Sequence, residues 1–167
     1  MKARATIFIV LAVLLGCRKD NTPKVTLSTT LTNCPANSTC TYSYYNNADF
    51  ANAGTVIHGN YRVFSYQSVN ASVCGATSQF YFKTALSDDD FDITSNQIAS
   101  GDVFANDFTC PCCEIDVLFK PIGGEIKGKR TDDTHWLVNA SIVFGTSAMN
   151  PVDTVVVNQY FTKEPLP

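Results

Sequence analysis

The chain has 167 residues, with 12 basic and 15 acidic side chains and a net charge of −3 at pH 7. This length predicts one domain that is large enough to bury a hydrophobic core. Only 16% of the residues are charged. Lys and Arg form no cluster or stripe, which argues against nucleic acid as a partner. Thr, Ser, Asn, Val, Tyr and Phe are plentiful, and these residues favour half-buried strands over helices.

The N-terminus has the order of regions that is typical of a secretory signal peptide. Lys2 and Arg4 form a short basic start, and the run from Thr6 to Gly16 is almost wholly apolar. This run is too short for a stable transmembrane anchor, which takes about 20 residues. It fits the apolar region of a signal peptide. We therefore predict that residues 1–16 are a signal peptide.

The end of the apolar run, Leu14-Leu15-Gly16-Cys17, resembles a lipobox, the signature of bacterial lipoproteins. The resemblance implies cleavage before Cys17, a diacylglycerol thioether on its sulfur and an acylated amino group. Several acyl chains hold a protein firmly on a membrane, whereas one chain binds only marginally. The resemblance thus predicts lipidation at Cys17 and a membrane as partner. The alternative is an ordinary signal peptide with a chance cysteine.

The residues that follow Cys17 bear on localisation. Lys19-Asp20 resembles the start of lipoproteins that Bacteroidota export to the cell surface. The expected location is the outer membrane, with the cell-surface face preferred to the periplasmic face. Residues 17–24 then form a lipidated tether and residues 25–167 a single domain. Removing residues 1–16 takes away two basic side chains, so the mature chain has a net charge of −5.

The mature region alternates apolar and polar residues in short runs that are separated by turn residues. The predicted strands are residues 25–31, 41–45, 61–67, 79–84, 115–120, 125–130, 136–144 and 155–161. One short helix is predicted over residues 95–100, with Ser95 as its N-cap and Gly101 ending it. The predicted turns include residues 46–49, 123–124, 131–134 and 150–151. The pattern predicts an all-β fold, an antiparallel β-sandwich of immunoglobulin-like shape, with a small β-barrel as the alternative.

Six cysteines remain after Cys17: Cys34, Cys40, Cys74, Cys110, Cys112 and Cys113. An even number in an exported chain predicts structural disulfides. We expect Cys34 to pair with Cys40 across a short loop, and Cys74 to pair with Cys110 or Cys113. In an alternative pairing, Cys34 and Cys40 each bond into the cluster at 110–113. That alternative avoids a strained bond between the neighbours Cys112 and Cys113.

The same cluster also has a metal or redox interpretation. Cys110, Cys112, Cys113 and Cys74 could supply four thiolates, with His135 as a spare ligand, and soft sulfur selects copper or zinc. The spacing Cys110-x-x-Cys113 formally matches a redox motif, but a strand pattern follows it where thioredoxin-like proteins have a helix. Structural disulfides are therefore the preferred prediction, and no cofactor is predicted.

Two further groups of residues have a functional and a structural interpretation. The carboxylates of Asp88, Asp89, Asp90 and Asp92 could bind calcium, but they lack EF-hand spacing, so a solvated acidic turn is preferred. Six tyrosines could form an exposed binding face, although ordinary cross-strand packing is preferred. They are Tyr42, Tyr44, Tyr45, Tyr61, Tyr66 and Tyr81.

Asp153-Thr154-Val155 is similar to the O-glycosylation sites of Bacteroidota, which makes Thr154 a candidate for modification. No catalytic or phosphate-binding motif is present in the sequence. The sequence therefore predicts a lipid-anchored binding or structural module without catalysis, with a protein or glycan partner at the cell envelope. The alternative is a copper-binding, zinc-binding or thiol-redox lipoprotein that uses the cysteine cluster.

Overall fold

The computed structural model describes residues 25–51, 55–110, 112 and 119–167. Outside the described residues lie the predicted signal peptide, Cys17, the tether, Cys113 and most of the predicted strand 115–120. Eight strands are present: β1 (Ser38–Phe50), β2 (Val56–Asn70), β3 (Ala76–Ala85), β4 (Phe91–Ile93), β5 (Val103–Thr109), β6 (Lys120–Arg130), β7 (His135–Gly145) and β8 (Pro151–Lys163). A short helix, α1 (Ser95–Gln97), continues as a π-helical turn over Ile98–Asp102.

The strands form one hydrogen-bonded sheet in the order β4-β6-β7-β8-β1-β2-β3-β5. Neighbouring strands are antiparallel except β1 and β8, which are parallel and pair only at Ser43–Thr162 and Tyr44–Lys163. The sheet folds over at this short joint, so that β1-β2-β3-β5 faces β4-β6-β7-β8. Strands β4 and β5 are its two ends in the described chain, so the sheet is not closed into a barrel. The prediction of an all-β sandwich is confirmed.

The core lies between the two layers and is rich in aromatic rings. Phe64 of β2 is fully buried, and its ring centroid lies 4.7 Å from that of Phe82, 5.8 Å from that of Trp136 and 5.7 Å from that of Phe161. Rings from both layers therefore meet at one point, and each buried ring of this size contributes about 1.5–3 kcal/mol. The alternation predicted for residues 136–144 is confirmed, because its whole apolar face is buried: Trp136, Val138, Ala140, Ile142 and Phe144.

The prediction of a strand over residues 25–31 is wrong. This segment has no regular structure and lies against side chains of β7 and β8. The side-chain Nδ2 of Asn158 donates to Ser28 O at 3.1 Å, and the backbone N–H of Thr32 donates to Asn158 O at 3.0 Å. The alternating pattern here reflects a segment that covers a sheet face, which needs one apolar side just as a strand does.

Two predicted turns are also wrong, because both are irregularities inside long strands. Residues 46–49 lie in β1, where Ala48 pairs with both His58 and Tyr61 in a bulge. Residues 123–124 lie in β6 beside a register shift. Gly124 has a φ of 123°, and a Cβ there would lie 2.0 Å from Ser141 O. The glycine is thus required by a close approach of β7 within the sheet.

The helix predicted over residues 95–100 is present, but its N-cap is Thr94 and not Ser95. The Thr94 N–H donates to Gln97 Oε1 at 3.0 Å. Ser95 Oγ instead donates to Gly124 O at 2.7 Å, which fixes the helix on β6. Gly101, with a φ of 103°, ends the helical path as predicted.

Candidate functional site

The first disulfide joins Cys34 to Cys40 and confirms the predicted pair. The bond links the loop before β1 to a residue near the start of that strand, and the two Cα atoms lie 5.8 Å apart. Five residues between the cysteines are enough for the chain to turn back on itself. The bond therefore fixes the segment at 33–37 against β1.

The second disulfide joins Cys74 to Cys112, which confirms that Cys74 pairs into the cluster. The expected partners Cys110 and Cys113 were wrong, and so was the alternative in which Cys34 and Cys40 bond into the cluster. Thr109 of β5 pairs with Thr77 of β3, which brings the cluster to the β2–β3 turn that holds Cys74. Spacing alone could not tell which of three nearby cysteines would face that turn.

Cys110 is disulfide-bonded as well, and its Sγ lies 4.0 Å from Cys112 Sγ. In this oxidised form Cys74 and Cys112 supply no thiolates to a metal. His135 is the first residue of β7. Its Nδ1 is 3.0 Å from both carboxylate oxygens of Asp132, which lies in the turn before that strand. Within the described ranges no three His, Cys, Asp or Glu side chains are grouped to hold a metal ion. The metal and redox interpretation applies only to a reduced chain, and for that state it stays a prediction.

A cavity of about 480 Å³ lies beside the Cys34–Cys40 bond, between β8 on one side and β2 and β3 on the other. It exists because β1 and β8 pair at Ser43 and Tyr44 only and are not paired before that point. Its walls combine aromatic, aliphatic and hydroxyl groups, with Asp153 as the one charged residue among those described. The lining residues are Asn33, Pro35, Tyr66, Ser68, Ser78, Phe119 and Val152 to Val156.

Thr154 lies on the wall of this cavity and is exposed. Its backbone N–H donates to Asp153 Oδ1 at 2.7 Å. An exposed hydroxyl is accessible to a modifying enzyme, and O-glycosylation at Thr154 stays a prediction. A glycan on this residue would occupy the mouth of the cavity.

At the other end of the strands, Arg62 is a buried cation that the sequence-based reasoning missed. It is 6% exposed, and its guanidinium carbon lies 4.6 Å from the centre of the Trp136 ring. Its Nε donates to Asn46 Oδ1 at 2.8 Å and its Nη1 to Ser87 O at 2.5 Å. The alternation of β2 could have predicted this burial, because Arg62 lies two residues from the buried Phe64 and therefore on the same face of the strand.

Asp88 neutralises this cation and also pairs with Arg130. Its carboxylate lies 3.3 Å from Arg62 Nη2 and 2.5 Å from Arg130 Nη1, although the side chain is 62% exposed. Asp92 lies 4.0 Å from Lys127 Nζ. Two of the four acidic side chains considered as calcium ligands are therefore paired with cations. The structure favours an acidic turn that closes this end of the sandwich.

The six tyrosines mostly support cross-strand packing, as preferred. Tyr44, Tyr66 and Tyr81 are buried, Tyr42 and Tyr45 are half-buried, and Tyr61 is exposed. Burial, together with the neighbouring Tyr66, raises the pKa of Tyr42 above its usual 10.0. These rings do not form a continuous exposed face.

Comparisons of the chain with protein-family models, with curated proteins and with solved structures gave no match. None of the helices in the described part of the chain has the length and apolar character that crossing a membrane requires.

Proposed function

We propose that this chain is a lipid-anchored module of the outer membrane that binds a partner or supports envelope structure without catalysing a reaction. The observation that carries the proposal is the sequence Leu14-Leu15-Gly16-Cys17 at the end of a short apolar run. The residues after Cys17 favour the outer face of the membrane. Acylation of Cys17 would attach the domain by a short tether, since residue 25 already contacts the domain.

The disulfides support export. Cys34–Cys40 and Cys74–Cys112 are both bonded. Such bonds form and persist in oxidising compartments outside the cytosol. A secreted domain that carries these cross-links agrees with the localisation that the lipobox implies.

The arrangement of ionisable groups supports a module that does not catalyse. Asp88 is bound to two arginines, and His135 at the start of β7 is bound to Asp132 of the exposed turn before it. The large cavity holds one carboxylate, that of Asp153, and no histidine among its described lining residues. General acid–base catalysis usually takes two groups with distinct proton affinities, whereas a mixed polar and apolar wall suits binding.

The test is the substitution Cys17→Ala, with Gly16→Ala as its matched control, because Ala keeps a small residue before the cysteine. In the native host, we expect Gly16→Ala to remain in the outer-membrane fraction and Cys17→Ala to leave it while keeping its disulfides. Mass spectrometry should find acyl chains on the control only. A Cys17→Ala protein that stays with membranes as the control does would contradict the anchor. Labelling of intact cells with a membrane-impermeant reagent then distinguishes the two faces.

A second candidate, a metal or thiol-redox lipoprotein, rests on the 4.0 Å contact between the sulfurs of Cys110 and Cys112. Clustered sulfurs of this kind bind soft metals when reduced. Copper or zinc retained by the native protein, together with free thiols on alkylation, would favour this candidate over the first.

A further inference from the structure

One edge of β8, the side away from β7, faces the cavity. The hydrogen bonds of Asn158 show which backbone groups of β8 point to that side. In an antiparallel strand, the backbone groups of alternate residues point to opposite neighbours. The Asn158 N–H donates to Thr32 Oγ1 at 3.0 Å, and Asn158 O accepts from the Thr32 N–H at 3.0 Å. Both groups therefore point away from β7. Glu164 agrees, because its N–H donates to Tyr44 O in β1.

The same parity applies to Val156 and Thr154. The β7–β8 register has no shift between residues 154 and 162, so their N–H and C=O groups also point away from β7. Both residues line the cavity. Thr154 N–H is bound by the Asp153 carboxylate. In the described part of the chain, the Val156 N–H and C=O have no hydrogen-bond partner on that side.

We propose that an extended segment of a partner protein pairs with β8 at Val156 as an added strand, inside the cavity between β8 and the Cys34–Cys40 loop. The proposal names the binding site of the module and so rests on the proposed function. Addition of a strand to a sheet edge takes its affinity from backbone hydrogen bonds and its specificity from pockets for alternate side chains.

The chain already uses this mode of pairing one step along the same edge. Thr32 docks on Asn158 through its backbone N–H and its hydroxyl, and Gln159 Nε2 donates to Thr32 O at 2.6 Å. The segment then turns away through Asn33 and Pro35, which form the cavity wall. Because the segment turns away here, it does not pair with β8 on the N-terminal side of Asn158, at Val156.

The lining indicates which peptide would fit. Phe119 and Val155 offer apolar surface to a small aliphatic side chain, and Asp153 offers a carboxylate to a flanking Lys or Arg. Tyr66 is only 4% exposed, so its ring presents little face for a sugar to stack on. These features favour a polypeptide with alternating small apolar residues and a basic end over a glycan.

The test compares Val156→Pro with Val156→Ala in the full-length lipoprotein in detergent micelles. Proline removes the N–H that faces the cavity and leaves the β7 ladder intact, a position where strands tolerate it. The probe is a fluorescent octapeptide of alternating Val and Thr with Lys at both ends. Its control is the same peptide N-methylated on alternate residues, which cannot pair along that edge.

We expect the octapeptide to bind the wild type and Val156→Ala similarly, and Val156→Pro about tenfold more weakly, as the loss of one backbone hydrogen bond predicts. The N-methylated peptide should fail to bind, and the octapeptide should slow hydrogen exchange of the Val156 amide. Failure of the octapeptide to bind, equal binding by Val156→Pro, or protection of Val156 by a neutral oligosaccharide but not by the peptide would overturn the proposal. Membrane fractionation of Cys17→Ala is independent of all these outcomes, so the anchor and the peptide site can fail separately.

Discussion

The two ends of the sandwich are held by different chemistry. At the arginine end, defined by Arg62, Arg130, Asp88 and Trp136, one partly exposed carboxylate joins two guanidinium groups over a buried ring. At the cysteine end, which holds the Cys34–Cys40 and Cys74–Cys112 bonds, the cross-links are covalent and a cavity remains.

The difference follows from the joint between the two layers. Near the arginine end β1 and β8 pair at Tyr44 and Lys163, and the Tyr44 hydroxyl donates to Asp133 O, so side chains of both layers meet. Toward the cysteine end the strands no longer pair, and side chains alone do not fill the gap. Covalent bonds can fix loops around an open space, whereas ion pairs and ring contacts need close packing.

The largest expected loss of stability follows from removing disulfides at the cysteine end. Replacing Cys74 and Cys112 by Ser opens a loop with a sequence separation of 38, and the chain-entropy relation predicts a loss of roughly 4 kcal/mol. Replacing Cys34 and Cys40 opens a separation of 6, and the same relation predicts a loss of roughly 2 kcal/mol. Urea unfolding of the two double variants measures both free energies. Equal losses, or the reverse order, would show that strain or residual structure outweighs loop length.

A smaller loss of stability is expected at the arginine end from Asp88→Asn. The change removes the negative charge that pairs with the buried Arg62 and with Arg130, and we expect it to cost about 1–2 kcal/mol, since water reaches the carboxylate. Asp89→Asn is the matched control, because Asp89 is exposed in the same turn. The same unfolding experiment applies. If both variants lose equal stability, the ion pairs contribute no more than the general charge of the turn.

The smallest expected effect is a loss of stability at low pH, through the Asp132 carboxyl at the arginine end. The Thr134 N–H, the His135 ring and the Thr134 hydroxyl lower the pKa of the Asp132 carboxyl from 3.8 to about 2. Because the folded pKa is depressed, the stabilisation is present above pH 3.8 and is lost as the pH falls through about 2. A carboxyl NMR titration should give the Asp132 midpoint near 2. Thr134→Ala should raise that midpoint by removing one hydrogen bond, and an unchanged midpoint would contradict this assignment.

Prediction of the structure from the sequence was most successful where a sequence pattern has one physical cause. The period of two in residues 136–144 reports a strand with one buried face, and all of its predicted inward residues are buried. The Cys34–Cys40 pair was also predictable, because short spacing and an intervening turn leave few alternatives.

Prediction failed where a pattern has two physical causes. Alternation over 25–31 fits a strand, but it also fits a segment that lies on a sheet face. Glycines at 123–124 fit a turn, but Gly124 is needed for a close approach to β7 within the sheet. The open edge at Val156 could not be predicted, since it depends on where β1 and β8 stop pairing.

The path of residues 25–33 has a mechanical consequence for a protein attached at Cys17. Tension on such an anchor would first load the hydrogen bonds that join Ser28 to the side chains of Asn139 and Asn158. Peeling would stop at the Cys34–Cys40 bond, since a covalent bond resists such forces. At about 3.3 Å per residue, the extended chain between Cys17 and the domain would lengthen from roughly 26 Å, ending at residue 25, to roughly 56 Å, ending at Cys34. If Cys17 carries the proposed lipid, residues 25–33 would be a reserve of length that lets the domain move under shear without unfolding its sandwich.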